Sequence, residues 1–81
     1  MSPTIHREGP FRFFFYSNEG GEPPHVHIQA GDGEAKAWIN PPAFASHSGI
    51  PARDLARILA IVQARQTEFT EAWDEHFRQG R

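Results

Sequence analysis

The chain contains no cysteine. Disulfides are thereby excluded, and so are zinc sites built on thiolates. Long apolar runs are missing too. Nothing approaches the ~20 residues that a membrane-spanning helix needs, and the first residues carry no apolar signal-peptide core. A soluble, cytoplasmic protein is the expectation. Neither sign of charge is in excess: 8 Lys and Arg stand against 10 Asp and Glu, a formal net charge of -2 with the histidines neutral. Such a balance gives no long-range attraction to nucleic acid, although it leaves room for a local basic patch. Internal repeats and low-complexity segments are absent. What remains is a single small domain over residues 1–81. A domain of this size buries only about 60–65% of the surface its unfolded chain exposes. Its stability margin is thin, and association with a partner or a second copy in a homodimer would widen it.

What the chain does have is an unusual central stretch, Glu22-Pro23-Pro24-His25-Val26-His27-Ile28-Gln29. The two prolines cannot continue a helix and bring the chain into His25 extended. From there His25, His27 and Gln29 fall on one side and Val26, Ile28 and Ala30 on the other, the period of a half-buried strand. Gly31-Asp32-Gly33 then makes a tight reversal. Glu34-Ala35-Lys36-Ala37-Trp38-Ile39 alternates again in the same phase. The register that keeps charges out of the core pairs His27 with Lys36, His25 with Trp38, and Gln29 with Glu34.

Around this hairpin the other elements are simpler. Pro3–Arg7 reads as a short first strand, with His6 an exposed strand residue. Phe11–Tyr16 is a second, aromatic-rich strand. Phe11, Phe13 and Phe15 point inward, while Phe14 and Tyr16 share the side of Arg12. Ser17–Pro24 is a loop by composition, longer than a hairpin turn. Its acids, Glu19 and Glu22, read most simply as solvated. Asn40-Pro41-Pro42 ends the sheet, and residues 40–50 form a crossover holding Phe44 and His47. Pro51 suits a first helical turn, with Ser48 as a nearby cap. Leu55, Ile58, Leu59 and Val62 repeat at helical spacing, and the stripe continues through Phe69, Trp73 and Phe77. Trp73 reads as core. One unbroken helix over 52–78 would be about 40 Å long, against an expected radius of gyration of about 12 Å. A break near Arg65–Thr67 is therefore expected, with Thr67 capping a second helix.

Strands first and helices afterwards define an α+β fold: a small, antiparallel sheet of three or four strands (about 3–39) followed by two C-terminal helices (about 51–79) packed on one face. The opposite face is the candidate binding face and gathers Arg12, Tyr16, His25, His27, Gln29, Lys36 and Trp38.

Phe14-Phe15-Tyr16-Ser17-Asn18-Glu19, then Pro23-Pro24-His25-Val26-His27, Gly33-Glu34-Ala35-Lys36 and finally Glu71-Ala72-Trp73 resemble a family of short bacterial proteins, the domain-of-unknown-function family numbered 4160. The similarity covers nearly the whole chain. Where members commonly carry a histidine or asparagine between the acid and Pro-Pro, this chain has Gly20-Gly21-Glu22. The resemblance implies a protein partner rather than a reaction. Members are often encoded beside a small protein of the domain-of-unknown-function family numbered 2442, an arrangement suggestive of a toxin–antitoxin-like pair.

Three functions suit the histidine face, and the leading one, which needs the fewest assumptions, is a protein-interaction module forming one half of a two-protein pair. As an interaction module, the chain would use Trp, Tyr, His and Arg as interface anchors. As a metal-independent RNA-cleaving toxin, it would use His25 and His27 as base and acid and Lys36 or Arg12 as the cation, with Tyr16 or Trp38 stacking a base. As a metal site, His25 and His27 would ligate together with Glu19, Glu22 or His47. The plainest alternative is an exposed histidine pair with no special role. No cofactor is expected.

Overall fold

Two residues, Gly31 and Asp32, suffice to turn the chain between its two central strands. Gly31 sits at φ +59°, in the left-handed region that side chains with a Cβ rarely adopt. This turn sets the register, and the observed pairs are the expected ones: His25 with Trp38, His27 with Lys36, Gln29 with Glu34. The computed structural model describes residues 4–78. The outermost expected positions, Pro3 and Gln79, lie outside them.

Five strands, β1 (Thr4–Glu8), β2 (Phe11–Phe14), β3 (His25–Ala30), β4 (Gly33–Trp38) and β5 (Ala43–Ser48), precede two helices, α1 (Ala52–Ala64) and α2 (Gln66–Arg78). The strands form one antiparallel meander in chain order. The α+β class is as expected, and the strand count exceeds the expected three or four. The extra strand is β5, within the segment read as a crossover. Apart from Phe44 its residues are small or polar, and four of the six are exposed. Its register against β4 also shifts, so that Phe44 faces Ala37 while Ser46 faces Lys36. An edge strand with a bulge shows no clean alternation, so periodicity could not reveal it.

The helices pack on the Val26 and Ile28 side. Phe11, Phe13, Phe15, Val26, Ile28, Ala35, Ala37 and Ile39 meet Ile58, Val62, Phe69 and Trp73 in one core. Burying each large apolar side chain contributes about 1.5–3 kcal/mol. His6, expected to be exposed, is half-buried against the rings of Phe13 and Phe69, at 5.7 and 5.8 Å. The radius of gyration is 11.8 Å, and the helical stripe is broken at Arg65, as chain compactness requires. Neither expected cap is used. Pro51 is the N-cap of α1 without a side-chain cap, because Ser48 belongs to β5. α2 starts at Gln66, with the single residue Arg65 between it and the end of α1, leaving Thr67 inside the helix.

The hinge is held from both sides instead. Gln66 donates to the Ile39 carbonyl at 2.8 Å, and Arg65 bridges Glu8 and Glu68 at 3.2 and 2.9 Å. Hydrogen bonds from His6 and then Arg65 hold the Glu8 carboxyl below the ordinary carboxylate range. A carboxyl that ionises more readily in the folded chain stabilises it fully above its unfolded pKa. That contribution disappears as pH falls through the lowered folded value. Glu8→Gln is therefore expected to lose less thermal stability than the parent chain between neutral pH and about pH 3. Equal losses would mean that this network does not steady the hinge.

Candidate metal centre

The prolines deliver His25 to the start of β3, and strand alternation places His27 on the same side. The Ser17–Pro24 loop then folds back over this end of the sheet. A turn from Glu19 to Glu22 (Glu22 N–H to Glu19 carbonyl, 3.2 Å) and a bond from Ile39 N–H to the Pro24 carbonyl, 3.2 Å, fasten it. The loop lies close to α2 because Gly20 has no side chain; a Cβ there would come within 2.8 Å of the Phe77 ring. Glu19 is thereby brought over the histidines. Its Oε1 is 2.8 Å from His25 Nε2 and 2.7 Å from His27 Nε2. The ligand atoms of Glu19, His25 and His27 all lie within 4.8 Å of one another.

His25 does not present its ring on an open surface, as strand alternation alone suggested. It is 0% exposed, walled by Trp38 at 5.7 Å and by Trp73 of α2 at 4.9 Å. The end of the sheet is closed by the loop and by α2, neither of which strand periodicity describes. Trp73, as expected, is core. His25 Nδ1 is 2.9 Å from the Pro23 carbonyl oxygen. A carbonyl only accepts, so Nδ1 carries the proton, and Nε2 of a neutral ring holds a lone pair. That lone pair faces a carboxylate oxygen. The contact is attractive only when a cation, a proton or a metal ion, lies between them. A ligating histidine characteristically gives its second ring N–H to a backbone carbonyl or carboxylate, the role Pro23 fills here.

Burial pushes the Glu19 carboxyl up, but with a proton between it and each Nε2 the hydrogen bonds and charge from His25 and His27 outweigh burial and hold it below its ordinary value. It is therefore an anion at neutral pH, as a ligand must be. Two imidazoles and one carboxylate match the donor set of catalytic zinc and non-haem iron sites, which keep an open position. Tetrahedral zinc, with bonds of ~2.0–2.1 Å, separates its ligand atoms by about 3.3 Å. Admitting the ion asks Glu19 to retreat by roughly half an ångström from each Nε2, and the two Nε2 atoms to settle at that same spacing.

The remaining candidates divide clearly. Glu22 pairs with Lys36 at 2.6 Å, and His47 lies against Phe44 at 5.6 Å; neither joins the cluster. Tyr16 is 42% exposed and sits edge-on to His27 at 4.5 Å. Arg12 covers Phe14 at 4.4 Å and Lys36 covers Trp38 at 4.9 Å. Gln29 accepts from Arg12 at 3.5 Å. Arg12, Tyr16, His27, Gln29, Lys36 and Trp38 thus share the face away from the helices. The cluster residue that the sequence left most simply solvated is Glu19. Its signal was the flexible Gly20-Gly21 and rigid Pro23-Pro24 between it and His25.

Fold and cluster together define a small α+β domain with a two-histidine, one-carboxylate centre under a loop. Residues 11–74, from β2 into α2 and including all three cluster residues, match the family described as Domain of unknown function (DUF4160), and the chain belongs to that family. No curated protein and no solved structure matches it. Among the described residues, no helix is long and apolar enough to cross a membrane.

Proposed function

We propose that this protein binds a divalent transition metal, zinc or iron(II), through Glu19, His25 and His27, and keeps one or more coordination positions open. The observation that carries the reading is the convergence of two Nε2 atoms on one carboxylate oxygen, with His25 Nδ1 committed to the Pro23 carbonyl. The same observation disfavours the metal-independent RNA-cleaving reading. An acid or base acting on a ribose must reach it, whereas the His25 ring is enclosed and both of its nitrogens are engaged.

Metal bound only by the folded chain stabilises it by about 2.7 kcal/mol at a hundredfold excess over Kd. For a domain of this size that corresponds to a rise in Tm of about 10 °C or more. Chelator-stripped protein titrated with zinc, cobalt or nickel is expected to show such a rise, and Glu19→Gln and His27→Ala to abolish it. A flat thermal response across the series contradicts the reading.

A second reading, a protein-interaction module of a toxin–antitoxin-like pair, is supported by Tyr16. This exposed aromatic stands where two grooves of the open sheet face meet. Large amphipathic rings of this kind anchor interfaces. Co-expressed with a small protein of the domain-of-unknown-function family numbered 2442, the chain is expected to purify as a complex that survives chelator and is lost on Tyr16→Ala. Separate elution of the two parent proteins contradicts this reading.

A further inference from the structure

We propose that the groove beside His27 binds a small oxyanion, inorganic phosphate or the phosphoryl end of a phosphate monoester, which takes the open position of the metal. This rests on the metal reading of Glu19, His25 and His27 and names the ligand that its open side meets.

Access decides where a ligand arrives. The His25 side chain is 1% exposed and offers no path. His27, 15% exposed in its side chain, lines two grooves on the sheet face, while Glu19, 20% exposed, covers the cluster from the loop. The larger of its two grooves has a volume of 440 Å³ and is bounded by Tyr16, His27, Glu34, Lys36, Ser46 and Ser48, among others. That volume lies within the range of small-molecule sites.

Register decides what the groove offers. His27 stands opposite Lys36, and Lys36 opposite Ser46. Three adjacent strands therefore line up a metal-ligating imidazole, an ammonium and a hydroxyl on one face, about 4.7–4.9 Å apart from strand to strand. An ammonium has three donors. Glu22 takes one of them at 2.6 Å, which steadies Lys36 above Trp38 and leaves two for a ligand. The Ser46, Ser48 and Tyr16 hydroxyls add further donors. A tetrahedral oxyanion satisfies a metal, an ammonium and hydroxyls at once, and these charge-assisted bonds are the strong ones.

The opposite end of the groove sets the size limit. Glu34, in register with Gln29 and Ser48, places a carboxylate there, and the chain is net negative. Negative charge extending past Lys36 meets repulsion, so one phosphoryl group is favoured over a polynucleotide backbone.

The test uses the full chain loaded with cobalt(II), whose visible absorption reports its ligands. Cobalt uptake comes first, and phosphate or phenyl phosphate is then added. Both anions are expected to change the spectrum saturably, phenyl phosphate binding tighter if the ester is the natural form and equally if free phosphate is. Lys36→Met is expected to leave cobalt uptake intact and weaken phosphate binding about tenfold, a change of about 1.4 kcal/mol, while Lys36→Arg restores most of it. Glu34→Gln, which leaves Lys36 in place, is expected to strengthen binding. Cobalt uptake without a response to phosphate overturns the oxyanion site and leaves the metal centre standing. Absence of cobalt uptake overturns both. Unchanged phosphate affinity in both Lys36→Met and Glu34→Gln, or tighter binding of a single-stranded RNA oligomer than of phosphate, also overturns it.

Discussion

A peptide carbonyl can accept a hydrogen bond but never donate one, and the Pro23 carbonyl sits 2.9 Å from His25 Nδ1. This contact fixes the tautomer of a fully buried ring and turns its Nε2 lone pair toward Glu19. The rest of the arrangement serves that contact. Pro23-Pro24 holds the carbonyl rigidly in line with the strand that follows. Strand alternation sets His27 alongside, at a ring separation of 5.2 Å. The loop returns Glu19 to both imidazoles. Trp38 and Trp73 keep water away from the inner side of His25. A cation is what makes a lone pair and a carboxylate oxygen compatible at this distance.

The architecture also explains why a chain with so small a core supports a polar cluster. A meandering sheet buries one face under two helices and leaves the other free for charged and hydrogen-bonding side chains. The cluster sits where these two regimes meet, at the end of β3. There the loop and α2 wrap around the sheet and supply low-dielectric walls. The sheet positions His27, Lys36 and Ser46 in one row, whereas loop and helix control access. Rigid β3 thus carries the two histidines, and on the proposed metal reading the loop that carries Glu19 is the part able to adjust.

Much of this was legible in the sequence, for physical reasons. Alternation plus a two-residue turn leaves one register that avoids burying Glu34 and Lys36, and the pairs His25–Trp38 and His27–Lys36 followed from it. The limit that compactness sets on helix length called for a break near Arg65–Thr67, and the break falls at Arg65. The misses share a different cause. β5, apart from Phe44, is built of small and polar residues at an edge, held by backbone bonding that has no side-chain period. The enclosure of His25 depends on Trp73, forty-eight residues away in sequence. Glu19, Glu22 and His47 were equivalent as third ligands because the path of the loop that carries the two acids, and the edge pairing of β5 that carries His47, decide among them. Only tertiary contacts sent Glu19 to the histidines, Glu22 to Lys36 and His47 to Phe44.

The most direct test of this account is anomalous X-ray diffraction from crystals of the parent chain loaded with zinc, recorded on both sides of the zinc absorption edge. The account predicts one strong peak per chain, ~2.0–2.1 Å from His25 Nε2, His27 Nε2 and a Glu19 carboxylate oxygen, with His25 Nδ1 still bonded to the Pro23 carbonyl. Zinc found only at other side chains, or Glu19 still hydrogen-bonded to both imidazoles with no peak between them, would contradict it.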